Sequence, residues 1–301
     1  MEGNFSDQFV VVGANYKTYQ VKVKKLTLRE RITGKPIISI IVLGIIILGC
    51  VFAEQVYNHD PTSFYLENLN EPPGSEFYFG TDSLGRDIYS MIWYGGRVSI
   101  LIGLLGMAII TVIGVVYGCL SGTANKEIDS IMMRIPELIN SIPTLLLILL
   151  LTSIMGAQNI LKISFVIGIT GWCGLARIVR SEVRQIRSSE YVIAAKSMGG
   201  GFFHIMKKHL IPNFISTIMF VVVSSIGLSM SMESTLSFLG LGLPVDVVSW
   251  GSMLSLANKA LLSNTWWVII FPGIFLITTL VCITNIAYYF RKETNKRESY
   301  L

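Results

Sequence analysis

The stretch VSILIGLLGMAIITVIGVVYGCLS, residues 98–121, runs for 24 residues without Asp, Glu, Lys or Arg. About 20 predominantly apolar residues are needed to cross the roughly 30 Å hydrocarbon layer of a bilayer. This segment is therefore a transmembrane helix, and the fold is that of a membrane protein. Gly114, Gly118 and Gly122 recur along it every fourth residue, a small-residue face that lets a neighbouring helix approach closely.

Outward from this segment the same pattern repeats. Apolar runs lie at 36–54, 138–156, 160–176, 212–234 and 266–290, which with 98–121 makes six expected spans. The fourth is interrupted near its start by Lys162 and carries Gly168, Gly171 and Gly174; a terminal lysine can snorkel, and glycine is tolerated in membrane helices. A cleavable signal is the competing reading of the first run. Its polar leader of 35 residues and its apolar length both exceed those of an ordinary signal, so it is kept as a span. The chain is 52% hydrophobic and 14% charged, well below the roughly one-quarter charged residues of soluble domains.

Orientation follows from where the positive charge falls. Segments 1–35, 122–137, 177–211 and 291–301 carry 20 of the 24 Lys and Arg residues, while the alternate loops hold Arg86, Arg97, Lys162 and Lys259. The positive-inside rule then puts both termini in the cytoplasm. The expected organisation is a cytoplasmic tail at 1–35, a first span and extracellular loop at 36–97, a core at 98–290 and a cytoplasmic tail at 291–301. The net charge of +5 is accounted for by this topology, and no nucleic-acid motif is present.

Catalytic and metal chemistry find no constellation. Gly34-Lys35 is followed by Pro36 and has Arg29 where a phosphate-binding loop needs its first glycine. His204 and His209 lie five residues apart and so on different sides of a helix, and His59 is remote in sequence. Cys50, Cys119, Cys173 and Cys282 all fall within apolar runs and read as small buried hydrophobes.

The basic loop 177–211 is too patterned for a linker. Val179, Val183, Ile186, Tyr191, Ile193 and Ala194 recur at helical spacing among Arg180, Arg184 and Arg187. Ala194 and Ala195 keep the following helix slim, and Gly199, Gly200 and Gly201 permit a sharp reversal. Phe202, Phe203, Ile205 and Met206 follow as apolar anchors before Pro212. From the residues alone, two readings stand: a helix that inserts into a partner's groove, or one that lies on the lipid headgroups.

Three further features carry alternatives. In GTDSLGRD, 80–87, Asp82, Arg86 and Asp87 form either a salt-bridged cap on the next span or a contact with a delivering protein. Pro143 bends the third span, as a hinge or as a fixed kink. Glu233 ends 23 residues free of charge and must face protein or water, either at the interface or along a substrate pathway.

These stretches resemble one family. Ala194-Ala195, Gly199 and HLIPN at 209–213 are similar to the A-A-x-x-x-G … P loop of ABC importer permeases, with Ile193 where the family places a glutamate. FGTDSLGRDIYSMIWYGGRVSI (79–100), IDSIMMRIPELINSIPTLLL (128–147) and ESTLSFLGLGLPVDVVSWGSML (233–254) resemble the oligopeptide, dipeptide and nickel branch, C-type subunit. The likeness covers about residues 25–285, and NIAYYFRKETNKR departs from the family's C-terminal pattern. It implies an all-α permease of six transmembrane helices with a cytoplasmic coupling-helix loop and no catalysis of its own. Implied partners are a second permease, two ATP-binding subunits that use ATP and Mg, an extracellular solute-binding protein and membrane lipid, the chain itself being a multi-pass protein of a bacterial cytoplasmic membrane. Glu190, Tyr191, Ala194, Ala195, Lys196, Gly199, Gly200, Phe202, Phe203 and Pro212 are then the expected ATPase-coupling residues. Asp82, Arg86, Asp87 and Glu233 are expected at an outer gate or pathway. A stand-alone secondary transporter or a membrane scaffold is the alternative; the chain shows no clear internal repeat to support the former.

Overall fold

A computed structural model describes residues 35–156, 158–244 and 246–298, so all but Lys35 of the 1–35 tail lies outside the described residues. From Pro36 onward the chain forms one compact unit. Among the described residues the regular structure is helical, with one isolated antiparallel bridge between Thr81 and Asp87. In chain order the helices are α1 Ile37–Val51, α2 Ala53–Val56, α3 Ile88–Thr123, α4 Lys126–Ser141, α5 Thr144–Met155, α6 Ile160–Gly171 and α7 Cys173–Arg187. There follow α8 Glu190–Ser197, α9 Phe202–Ile205, a π-helical turn Met206–Leu210, α10 Ile211–Phe238, α11 Trp250–Leu254, α12 Ala257–Leu262 and α13 Trp267–Glu298.

Three helices, α3, α10 and the Trp267–Lys292 part of α13, are each long and apolar enough to cross a membrane. Two bent pairs, α4 with α5 and α6 with α7, qualify only when each pair is taken as one span, giving three to five candidates. The expected first span shrinks to α1, whose 15 residues reach about 22 Å at 1.5 Å per residue. The expected second span gains ten residues at its start, because Asp87 accepts a hydrogen bond from the Ser90 amide and caps α3 there.

The bends have local causes. Proline disfavours helical geometry in the residue before it, and Ile142 ahead of Pro143 is extended, at φ −94° and ψ 131°. The chain turns by 88° at that point, between α4 and α5. A smaller bend of 46° separates α6 from α7 around Trp172.

Packing follows the glycine face seen in the sequence. A Cβ on Gly118 would lie 2.6 Å from the Ala176 carbonyl oxygen, and one on Gly122 would lie 2.8 Å from the Val183 side chain and 3.0 Å from the Arg180 carbonyl oxygen. The small residues of α3 thus seat α7 almost backbone to backbone, with Leu175, Val179 and Val183 buried in the seam. All four cysteines are free and buried, as their apolar settings suggested.

Candidate functional site

The α7–α10 connection is built from short-range rules. α7 runs past the apolar core as an amphipathic extension that buries Val179 and Val183 and ends at Arg187, which donates to the Thr123 carbonyl at 2.6 Å. The Ser189 carbonyl accepts from the amides of Val192 and Ile193 and starts α8. Val192 is buried and pins this helix, while Glu190, Tyr191, Ile193, Ala194 and Met198 are exposed. Helix α8 stops in a Schellman turn: Gly199 adopts φ +86° and the Gly200 amide donates to the Ala195 carbonyl at 3.0 Å. A Cβ on Gly200 would come within 2.7 Å of that same oxygen, so both glycines are needed for the reversal.

Beyond the reversal, α9 passes through the π turn into α10 without a break. Pro212 cannot donate to a carbonyl one turn back, and its ring would crowd that carbonyl; the wider π turn that precedes it relieves the conflict. The structure therefore brings Glu190, Tyr191, Ala194, Ala195, Gly199 and Gly200 into one protruding helix and turn, with Pro212 exposed at the return. The side chains of Lys196, Phe202 and Phe203 lie outside the described residues. Behind the helix is a cavity of about 450 Å³ lined by Thr123, Arg187, Val192, Ile193, Ile205 and Leu210 among others.

A charged hub of residues remote from one another in the chain supports this arm. Asp129, in the first turn of α4 and outside the apolar run that follows, is almost fully buried. Arg180 grips it with both Nε and Nη2, Arg184 approaches at 2.6 Å, and the Ser121 hydroxyl donates to it from the end of α3. The Arg180 hydrogen bonds hold the Asp129 carboxyl down at about 2, helped by Ser121 and the Arg184 charge and opposed by burial. Three helices thus meet on one carboxylate. The available signal was the i, i+4 spacing of Arg180 and Arg184 on a helix face; the position of their acid 51 residues upstream had none.

At the other end of α3, the 80–87 stretch is buried rather than presented. Arg86 pairs with Asp82 at 2.8 Å, and Asp82 also accepts the amides of Leu84 and Arg86. Asp87 does not join that pair: it caps α3 through Ser90, and His59 Nδ1 stands 4.0 Å from it. The Thr81 carbonyl accepts from Trp267 Nε1 at 3.0 Å, locking the turn to the start of α13.

Glu233 is fully buried near the end of α10. Its carboxylate accepts from the hydroxyls of Ser249 at 2.8 Å, Ser237 at 2.9 Å and Ser234 at 3.4 Å. Ser249 also caps α11 in a reciprocal capping box with Ser252. The next residue, Trp250, is fully buried with its indole N–H on the Ile92 carbonyl at 2.8 Å. Glu233 thus ties the α11 turn to α10 through Ser249, while Trp250 ties the same turn to α3. Among the described residues no group of three His, Cys, Asp or Glu side chains is placed to hold a metal ion.

Long apolar helices and two bent helix pairs mark a multi-pass membrane protein, with a helix–turn set beside a buried ionic hub. The model of the binding-protein-dependent transport system inner membrane component family matches residues 114–296, and the chain belongs to that family. It is 39% identical to the dipeptide transport system permease protein DppC of Bacillus subtilis (strain 168), over 79% of this chain and 75% of that protein. It is 35% identical to the oligopeptide transport system permease protein OppC of the same organism, over 85% of this chain and 84% of that protein. The likeness to OppC of Haemophilus influenzae is also 35%, over 82% and 80%. The chain is accordingly a multi-pass component of a bacterial cytoplasmic membrane, the permease part of a system that works with a solute-binding protein and ATP-binding-cassette partners.

Proposed function

We propose that this chain forms half of the translocation pathway for peptides in an ATP-driven importer, paired with a second permease, with two ATPases below and an extracellular solute-binding protein above. The peptide substrate is supported by the names of the relatives, dipeptide and oligopeptide permeases. ATP and Mg are used by the ATPases, and this chain performs no catalysis. In this reading there are six crossings with both termini in the cytoplasm, α1 being a short first crossing that the bilayer accommodates by local thinning.

The observation that carries the proposal is the α8 arm. Tyr191, Ile193, Ala194 and Met198 project from a helix pinned at Val192 and stopped by the Gly199 turn, which suits insertion into an ATPase groove. Ile193, 54% exposed, offers apolar surface where the family's glutamate would offer charge, so docking proceeds by packing. A push on α8 passes into α7, which is tied to α3 by Arg187 and to α4 by the Asp129 hub, and α9 passes it into α10. Rigid helices so coupled convert ATPase closure into alternating access. The test is the Gly199→Asp transporter reconstituted in proteoliposomes with its ATPases and binding protein. ATP hydrolysis without peptide uptake is expected; uptake and hydrolysis that stay coupled as in the parent overturn the coupling role.

A further inference from the structure

The 88° turn between α4 and α5 has a geometric consequence. α5 is apolar but for Thr144, Thr152 and Ser153 and packs against α6, so a helix leaving it at a right angle runs along the membrane surface. The faces of α4 suit such a course. Ile128, Ile131, Ile135, Leu138 and, at its end, Ile142 follow one another at steps of three and four residues and are all exposed, while Asp129 and Pro136 are buried against the molecule. Amphipathic helices of this kind lie with the apolar face at the boundary of headgroups and acyl chains.

On another face of α4 is a cleft of about 400 Å³ shared with α7, lined by Ser130, Met133, Arg134, Glu137, Arg177 and Arg180. Three guanidiniums against one carboxylate leave two positive charges in excess. Arg134 meets Glu137 at 3.0 Å, and both side chains are largely exposed. Arg180 is bound to Asp129, whose charge is shared with Arg184. Arg177 has one long hydrogen bond, 3.5 Å to the Pro136 carbonyl, and no ion pair among the described residues.

We propose that this cleft binds the phosphate of an anionic phospholipid of the cytoplasmic leaflet, with Arg177 and Arg134 as its ligands. Planar guanidinium forks match phosphate oxygens two at a time. The exposed isoleucine row on the same helix supplies the acyl chains with apolar surface, from which a free phosphate would gain nothing. Bound lipid would fix α4 at the membrane surface beside the Asp129 hub, and with it the base of the coupling arm. The proposal rests on the cytoplasmic placement of α4 given above.

The experiment uses the assembled transporter with the full-length chain in nanodiscs of phosphatidylcholine containing one part phosphatidylglycerol in three, with native mass spectrometry counting retained lipid. The parent is expected to retain phosphatidylglycerol, and the Arg134→Gln/Arg177→Gln pair to lose about 25-fold in apparent affinity, five-fold per arginine, as follows from about 1 kcal/mol for each basic residue near an anionic surface. Lys126→Gln, outside the cleft, should retain lipid as the parent does. Equal retention by the arginine pair overturns the site. Displacement of the lipid by inorganic phosphate at equal concentration overturns the lipid as its occupant. A disulfide cross-link from Ile135→Cys to the second permease shows the row to be covered by protein and overturns the proposal too. Labelling of Ser130→Cys by an impermeant thiol reagent from the outside would refute the topology separately, whatever the lipid count.

Discussion

Replacing Asp129 by Asn keeps the shape of the side chain and removes the charge on which three helices converge. The carboxylate accepts two hydrogen bonds from Arg180, one from Ser121 and a close approach from Arg184, and its side chain is 3% exposed. Removing one partner of a fully buried ion pair costs about 3–5 kcal/mol, because the other charge is left uncompensated. Arg180 and Arg184 keep 28% and 41% of their side-chain surface, so water can take over part of the lost interaction. Discounted for that, we expect a loss of about 2 kcal/mol, the size of one or two hydrogen bonds to charged groups. The lowered pKa also fixes the pH dependence. A depressed carboxyl contributes its full stability above its ordinary value of 3.8 and loses it only as the pH falls towards about 2. The difference between parent and variant should therefore be flat from about pH 5 to about pH 8. The assay is thermal unfolding of the purified transporter across that range, with peptide uptake and ATP hydrolysis measured in proteoliposomes. The variant should also hydrolyse ATP with reduced uptake, because α7 no longer holds α4. A change in stability below about 0.5 kcal/mol, within the range of an ordinary surface substitution, would refute the hub.

Other outcomes follow from single contacts. Gly118→Val must part α3 from α7, since even a Cβ would sit 2.6 Å from the Ala176 oxygen; a loss of about 1–3 kcal/mol in unfolding free energy is expected. Gly174→Ala on α7 meets nothing within 4 Å and should instead gain about 0.5–1 kcal/mol, so the two variants must move in opposite directions. Gly199→Ala also meets no neighbouring atom, so its cost is purely that of the left-handed backbone, about 1–2 kcal/mol; hydrogen exchange confined to α8 and α9 should report it. Glu233→Gln brings an amide donor against the Ser237 and Ser249 hydroxyls that now donate, and should cost about 1–3 kcal/mol in thermal unfolding.

The apolar runs and the positions of the lysines and arginines settled the membrane class without any coordinates, because the bilayer imposes its thickness and charge asymmetry directly on the linear sequence. The helix and glycine turn at 190–200 were also legible, since a Schellman turn and a slim alanine helix are made from neighbouring residues. So was the glycine face of α3, though its partner, α7, was not. The tertiary structure alone decided what lies far apart in the chain: Arg180 and Arg184 on Asp129, Ser249 on Glu233, Trp250 on Ile92. It also split the expected spans, setting an 88° corner at Pro143 and leaving α1 at 15 residues. Hydropathy responds to the burial of each residue in turn. A buried carboxylate finds its partners only when separate helices pack, and that pairing leaves no period in the sequence to detect.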